Sequence, residues 1–136
     1  MNYNGNCLFC KFVNEKQKDC QCIYEDNLTY VMLDDFPISR GHSLVMTKEH
    51  ISDISLGGLT IGHALGETSA LVAKVLKESL NPEKVYLISF NEEIQHLHFH
   101  LIPRYETDRK GFDHLKSKRG KLENYEEMVT SIKKFL

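Results

Sequence analysis

No stretch of this 136-residue chain approaches the run of about 18 apolar residues that a membrane-spanning helix needs. The opening residues, Met1-Asn2-Tyr3-Asn4-Gly5-Asn6, are polar, so a secretory leader is not expected. Basic charge is not in excess. The 17 Lys and Arg stand against 19 Asp and Glu, a formal net charge of −2, which argues against a general nucleic-acid surface. Internal repeats and low-complexity linkers are missing, and so is any G-x-x-x-x-G-K-[ST] phosphate loop. At 41% hydrophobic and 26% charged residues the composition is that of an ordinary globular protein. One domain, 1–136, is expected, large enough to bury a core without staples. The expected compartment is the cytoplasm, where the four cysteines would be thiols or metal ligands rather than disulfides.

What the chain does have is His96-Leu97-His98-Phe99-His100-Leu101-Ile102. Strict two-residue alternation predicts a half-buried strand, with Leu97, Phe99 and Leu101 entering the core and three imidazoles on one exposed face. Same-face neighbours on a strand sit roughly 6.5 Å apart, so His96 and His100 are separated by about 13 Å. Zinc holds its nitrogen ligands at ~2.1 Å, so one ion takes two adjacent histidines at most. The outer histidines should therefore do different jobs from the central one. A neutral imidazole suits attack on phosphorus, because its second nitrogen can leave its proton on a backbone carbonyl. Flanking imidazoles can donate hydrogen bonds to phosphoryl oxygens as charge shifts.

Coarse patterning gives the frame. Three short strands are expected around Cys22 to Glu25, Thr29 to Leu33 and His42 to Thr47, the first two joined by a turn at Asp26-Asn27. A helix from about Leu59 to Leu80 carries Ile61, Leu65, Thr68, Val72, Val75, Leu76 and Ser79 on one stripe and stops at Asn81-Pro82. Strands at Val85 to Phe90 and Leu97 to Pro103 follow. The expected architecture is α+β: five mainly antiparallel strands, a central helix and a C-terminal helix. Residues 105–136 read as a polar, basic loop and then a helix capped by Asn124, with Tyr125, Met128, Val129, Ile132 and Phe135 as its stripe.

Cys7-Leu8-Phe9-Cys10 has the spacing with which two thiolates grip one tetrahedral ion, which makes residues 1–22 a candidate zinc-binding segment. One completion is Cys20 with Cys22, although a C-x-C bite is cramped for one ion and Cys22 falls inside an expected strand.

The histidine-rich segment resembles the motif of the histidine triad (HIT) family of nucleotide hydrolases and transferases. The likeness extends to Ile23-Tyr24-Glu25-Asp26, Val31-Met32-Leu33-Asp34, Pro37 and the run from Gly41 to Ile51, in order, and covers roughly residues 7 to 105. It implies a HIT-like fold, with His98 as nucleophile on the α-phosphorus of a nucleotide and His100 and His42 as phosphate contacts. It also implies Asp34 as ligand of the ribose hydroxyls, Asn91 as a nucleotide contact, and a structural zinc on Cys7, Cys10, His50 and His96. Phe12, Val13, Ile23, Leu33 and Phe36 are candidate walls for a base. Substrates implied are adenosine phosphoramidates, adenylated compounds or dinucleoside polyphosphates, and the implied assembly is a homodimer through the central helix and a sheet edge. Two other classes fit the residues: a nucleotide-binding regulatory module without turnover, and a hydrolase with catalytic zinc. One departure stands out. The Gly-rich segment that precedes the triad in many family members is shortened here to Asn91-Glu92-Glu93-Ile94-Gln95, whose acids would favour a cationic or amine leaving group.

Overall fold

The computed structural model describes residues 3–136; Met1 and Asn2, the start of the polar N-terminal stretch, lie outside the described residues. In chain order the elements are α1 (Leu8–Glu15), β1 (Cys22–Glu25), β2 (Thr29–Leu33), β3 (Ser43–Thr47), α2 (Gly58–Leu80), β4 (Lys84–Ile88), β5 (His98–Arg104), α3 (Phe112–Leu115) and α4 (Tyr125–Lys133). The five strands form one antiparallel sheet in the order β1-β2-β3-β5-β4. The expected α+β class and all five strands are therefore present. Among the described residues no helix is long and apolar enough to cross a membrane.

Period-two alternation divides the sheet into two faces. Val31, Leu33, Val45, Phe99 and Leu101 point to the face covered by α2 and α4 and belong to the larger core. Tyr30, Met32, Leu44 and Met46 point to the other face, where Phe9, Phe12 and Val13 of α1 cover them. Asp26 sets the β1–β2 turn by accepting the N–H groups of Leu28 (2.9 Å) and Thr29 (2.8 Å).

The long helix α2 contains Gly62 and Gly66, which cost roughly 1 kcal/mol each relative to Ala. Burying Ile61, Leu65, Val72, Val75 and Leu76 stabilises it by about 1.5–3 kcal/mol per side chain, so packing outweighs the poor propensity. Asn81 ends the helix in a left-handed conformation (φ 55°), donating its N–H to Lys77 O at 3.0 Å.

Three expectations need correcting. The His-rich face of β5 is not exposed: His96 and His98 are buried and His100 is half-buried, because α1 and the 91–95 turn cover that face. His96 also lies just before the strand rather than within it. Asn124 precedes α4, but in a left-handed conformation and without a side-chain capping bond. Helix α1 was not foreseen, since the apolar spacing of Phe9, Phe12 and Val13 spans too few residues to separate from a loop.

Candidate active site and metal centre

Strand parity assembles the site. Met32 pairs with Leu44, Leu44 with His100, and Met46 with His98. Asp34 and His42 lie two residues beyond Met32 and before Leu44, on the same face, joined by Asp34 N–H to His42 O at 2.9 Å. The result is a cluster of Asp34, His42, His98 and His100 from three adjacent strands. His42 Nε2 lies 2.9 Å from His100 Nδ1 and 3.4 Å from Asp34 Oδ2. The rings of His98 and His100 meet edge-on at 5.0 Å.

Backbone groups fix the tautomers in turn. Ile38 N–H donates to His42 Nδ1 at 3.0 Å, so the neutral ring of His42 carries its proton on Nε2. That proton goes to His100 Nδ1, which leaves the His100 proton on Nε2, a donor for an incoming ligand. His98 donates from Nδ1 to the His96 carbonyl at 2.5 Å, which leaves the Nε2 lone pair available. His96 donates from Nε2 to Thr47 O at 2.6 Å, turning its Nδ1 lone pair toward the cysteines.

Burial keeps these rings neutral. It lowers His42 to about 2, assisted by the positive ends of His100, Arg119 and His114, and lowers His96 and His100 to about 4. Burial lowers His98 as well, against the opposing effect of its bond to the His96 carbonyl. Burial raises the Asp34 carboxyl, while the Phe36 N–H and the Arg119 guanidinium pull it back down.

The cluster opens into a cleft of ≈ 770 Å³, within the size range of ligand pockets. Phe9, Phe12, Leu44 and Phe36 supply apolar lining, and Glu92 and Glu93 also line it. Phe9 packs edge-on against His98 at 4.7 Å between ring centroids. Of the candidate base-wall residues, Phe12 and Phe36 reach the cleft, whereas Val13, Ile23 and Leu33 are buried in the two cores. Asn91, with φ 58°, uses Oδ1 to accept the His98 N–H at 3.0 Å and Nδ2 to donate to Ser89 Oγ at 3.0 Å. Its side chain is thus engaged in holding the start of β5, a positioning role that adjacency in sequence did not suggest.

Beside the cleft, Cys7, Cys10, His50 and His96 converge, with their four ligand atoms all within 4.8 Å of one another. Cys10 Sγ is 3.3 Å from His50 Nδ1 and 3.4 Å from His96 Nδ1, and Cys7 Sγ is 3.4 Å from His96 Nδ1. Tetrahedral zinc with ligands at 2.1–2.3 Å sets them about 3.4–3.8 Å apart, so the set fits that ion. Cys20 and Cys22 are not part of it. Cys20 is exposed against Tyr125 Oη (3.0 Å) and Cys22 Sγ lies 3.5 Å from Tyr24 O, which excludes the four-cysteine completion. Asp34, His42 and His100 also converge as ligand types, but the His42 Nε2 proton and the Arg119 guanidinium 2.8 Å from Asp34 oppose a cation there.

Arg119 was not singled out by the sequence: its basic run, 116–121, reads first as a solvated loop and second as a cover over the nucleotide site, and only the tertiary path of that run carries Arg119 to the cleft.

Comparison with known proteins agrees with this geometry. A HIT domain profile matches residues 15–107. A HIT-like protein of Borreliella burgdorferi is 29% identical over 138 residues, covering 93% of this chain and 96% of its own. The adenosine 5'-monophosphoramidase hnt1 of Schizosaccharomyces pombe is 34% identical, covering 73% of this chain and 74% of its own. A Zn-bound histidine triad family protein of Mycobacterium smegmatis shares the fold at TM-score 0.80 and 24% identity, covering 96% of this chain and 92% of that one. With the sheet, the helices and the triad in place, and two thirds of its length matched by the domain profile, the chain belongs to the HIT family.

Proposed function

We propose that the protein is a nucleotide hydrolase or transferase that cleaves at the α-phosphate through a nucleotidyl-histidine intermediate. The observation that carries this reading is the His98 Nδ1 bond to the His96 carbonyl, which leaves Nε2 unprotonated and facing a cleft of nucleotide size. In the first step His98 Nε2 forms a bond to phosphorus, and the bond to the leaving group breaks as its electron pair departs with that group. His100 Nε2–H donates to a non-bridging oxygen, and His42 holds His100 in that tautomer. Asp34 accepts from the ribose hydroxyls. Water then attacks phosphorus and releases the mononucleotide and neutral His98.

The relatives' names support adenosine phosphoramidates and adenylated compounds as the substrate class, since one is a monophosphoramidase. Glu92 and Glu93 beside the cleft favour an amine leaving group over a second polyphosphate. A structural zinc on Cys7, Cys10, His50 and His96 would tie α1 to the sheet without entering the reaction. We further propose a homodimer through α2 and the sheet edge at β4. Leu59 is 83% exposed, and Gly62 and Gly66 continue its stripe with nothing near enough to obstruct close backbone approach.

The test is early quenching with adenosine 5'-phosphoramidate followed by intact mass. Wild type should gain one adenylyl group, and His98→Asn should gain none and lose at least about 10³-fold in turnover. A variant with near-normal turnover sinks the mechanism, and AMP binding without any adduct or turnover would favour a regulatory binding module.

A further inference from the structure

The basic run that closes over the 34–37 turn is laid down by backbone bonds. Gly120 N–H donates to Pro37 O at 3.0 Å and Leu122 N–H to Asp35 O at 2.8 Å. Immediately before these anchors Arg119 turns inward, donating from Nη2 to Asp34 Oδ2 at 2.8 Å and from Nε to the Phe36 carbonyl at 2.6 Å. The guanidinium stays partly open, with 42% of the side chain exposed.

The charge around it is lopsided. Asp34, Asp35, Glu92 and Glu93 line the cleft, and among the described residues Arg119 is the only Lys or Arg that does. The histidines cannot supply the missing charge, because burial keeps them neutral at ordinary pH. A nucleotide phosphate therefore meets four carboxylates and one permanent cation. That cation is already paired with the carboxylate that the ribose would need. A phosphate gains more from a guanidinium fork than a neutral hydroxyl pair does, so exchange of partners is favourable on both sides.

We propose that Arg119 is a phosphate-binding residue stored on Asp34: the ribose hydroxyls take the Asp34 oxygen, and the released guanidinium closes on the substrate phosphate. This inference rests on the nucleotide reading and adds to it a ligand from outside the triad region. It also gives the strap a function in specificity, because the exchange rewards a ligand that carries both a diol and a phosphate.

Calorimetric affinities for AMP and for adenosine separate the possibilities. Arg119→Ala should weaken AMP about 10- to 100-fold and leave adenosine unchanged or tighter, since Asp34 is then free. Arg119→Lys should lose less, keeping the charge without the fork. Lys118→Ala, which removes an exposed neighbouring charge, should leave AMP within about twofold. Equal loss for both ligands, or an unchanged AMP affinity in a variant with normal thermal unfolding, overturns the role of Arg119. If Arg119→Ala does not fold, the same comparison between Arg119→Lys and wild type decides. Wild-type protein that binds neither ligand overturns the nucleotide reading itself.

Discussion

The neutrality of buried imidazoles has a cost that depends on pH. His42 and His100 titrate at about 2 and about 4 in the folded protein, against a usual 6.5. Between those values the unfolded chain binds protons that the folded one refuses, so stability is complete above about pH 6.5 and falls as pH drops toward 4. At pH 5 the loss is up to about 2 kcal/mol for each group. Glu25 and Asp26, held low by their partners, contribute losses only below their usual range. Asp34, raised by burial, works in the opposite sense. Thermal unfolding should therefore show a Tm several degrees lower at pH 5 than at pH 7.5, and His42→Asn should flatten that slope. A Tm independent of pH over this interval would mean that the rings are not buried neutral. The same residues show what the sequence could reveal. Their two-residue spacing disclosed the strand and the separate roles, but the proton positions depend on Ile38, Thr47 and His96 backbone groups that no local pattern predicts.

Helix α1 is short, and eight residues are too few to be stable alone. It is held by Phe9, Phe12 and Val13 on the sheet and by the cluster of Cys7 and Cys10 with His50 and His96. The chain is thus anchored on both sides of His98, by Phe9 against its ring and by the His96 carbonyl against its Nδ1. Cys10→Ser should abolish metal binding in elemental analysis of purified protein. It should also raise amide exchange across Leu8–Glu15 by 10-fold or more while leaving α2 unchanged. Stoichiometric zinc persisting in that variant would remove the assignment. The longer elements were legible because their periodicity runs over many residues: the α2 stripe from Ile61 to Leu76 matches the buried set, and two-residue alternation located β5 although both of its faces are covered. Helix α1 and the short α3 were not, because their apolar signal is shorter than one reliable window.

At the scale of the molecule, the sheet has one edge at β4, where Leu87 is 53% exposed, and α2 presents Leu59 and its glycines outward. Leu59→Asp should place a charge in the proposed self-complementary contact and halve the mass measured by light scattering. A wild-type protein that is already monomeric at tens of micromolar would end the dimer proposal. Sequence alone determined the strands, the central helix and the spacing of the triad, because these follow from side-chain periods of 2 and 3.6 written along the chain, whereas Asp34 and His42 were picked out by the family resemblance. Tertiary structure decided what covers the histidine face, which cysteines meet His50 and His96, and that Arg119 reaches Asp34 across 85 residues of chain. Those outcomes depend on how loops return over the sheet. That path is set by the packing of the whole molecule, because a loop's own residues carry no period to fix it.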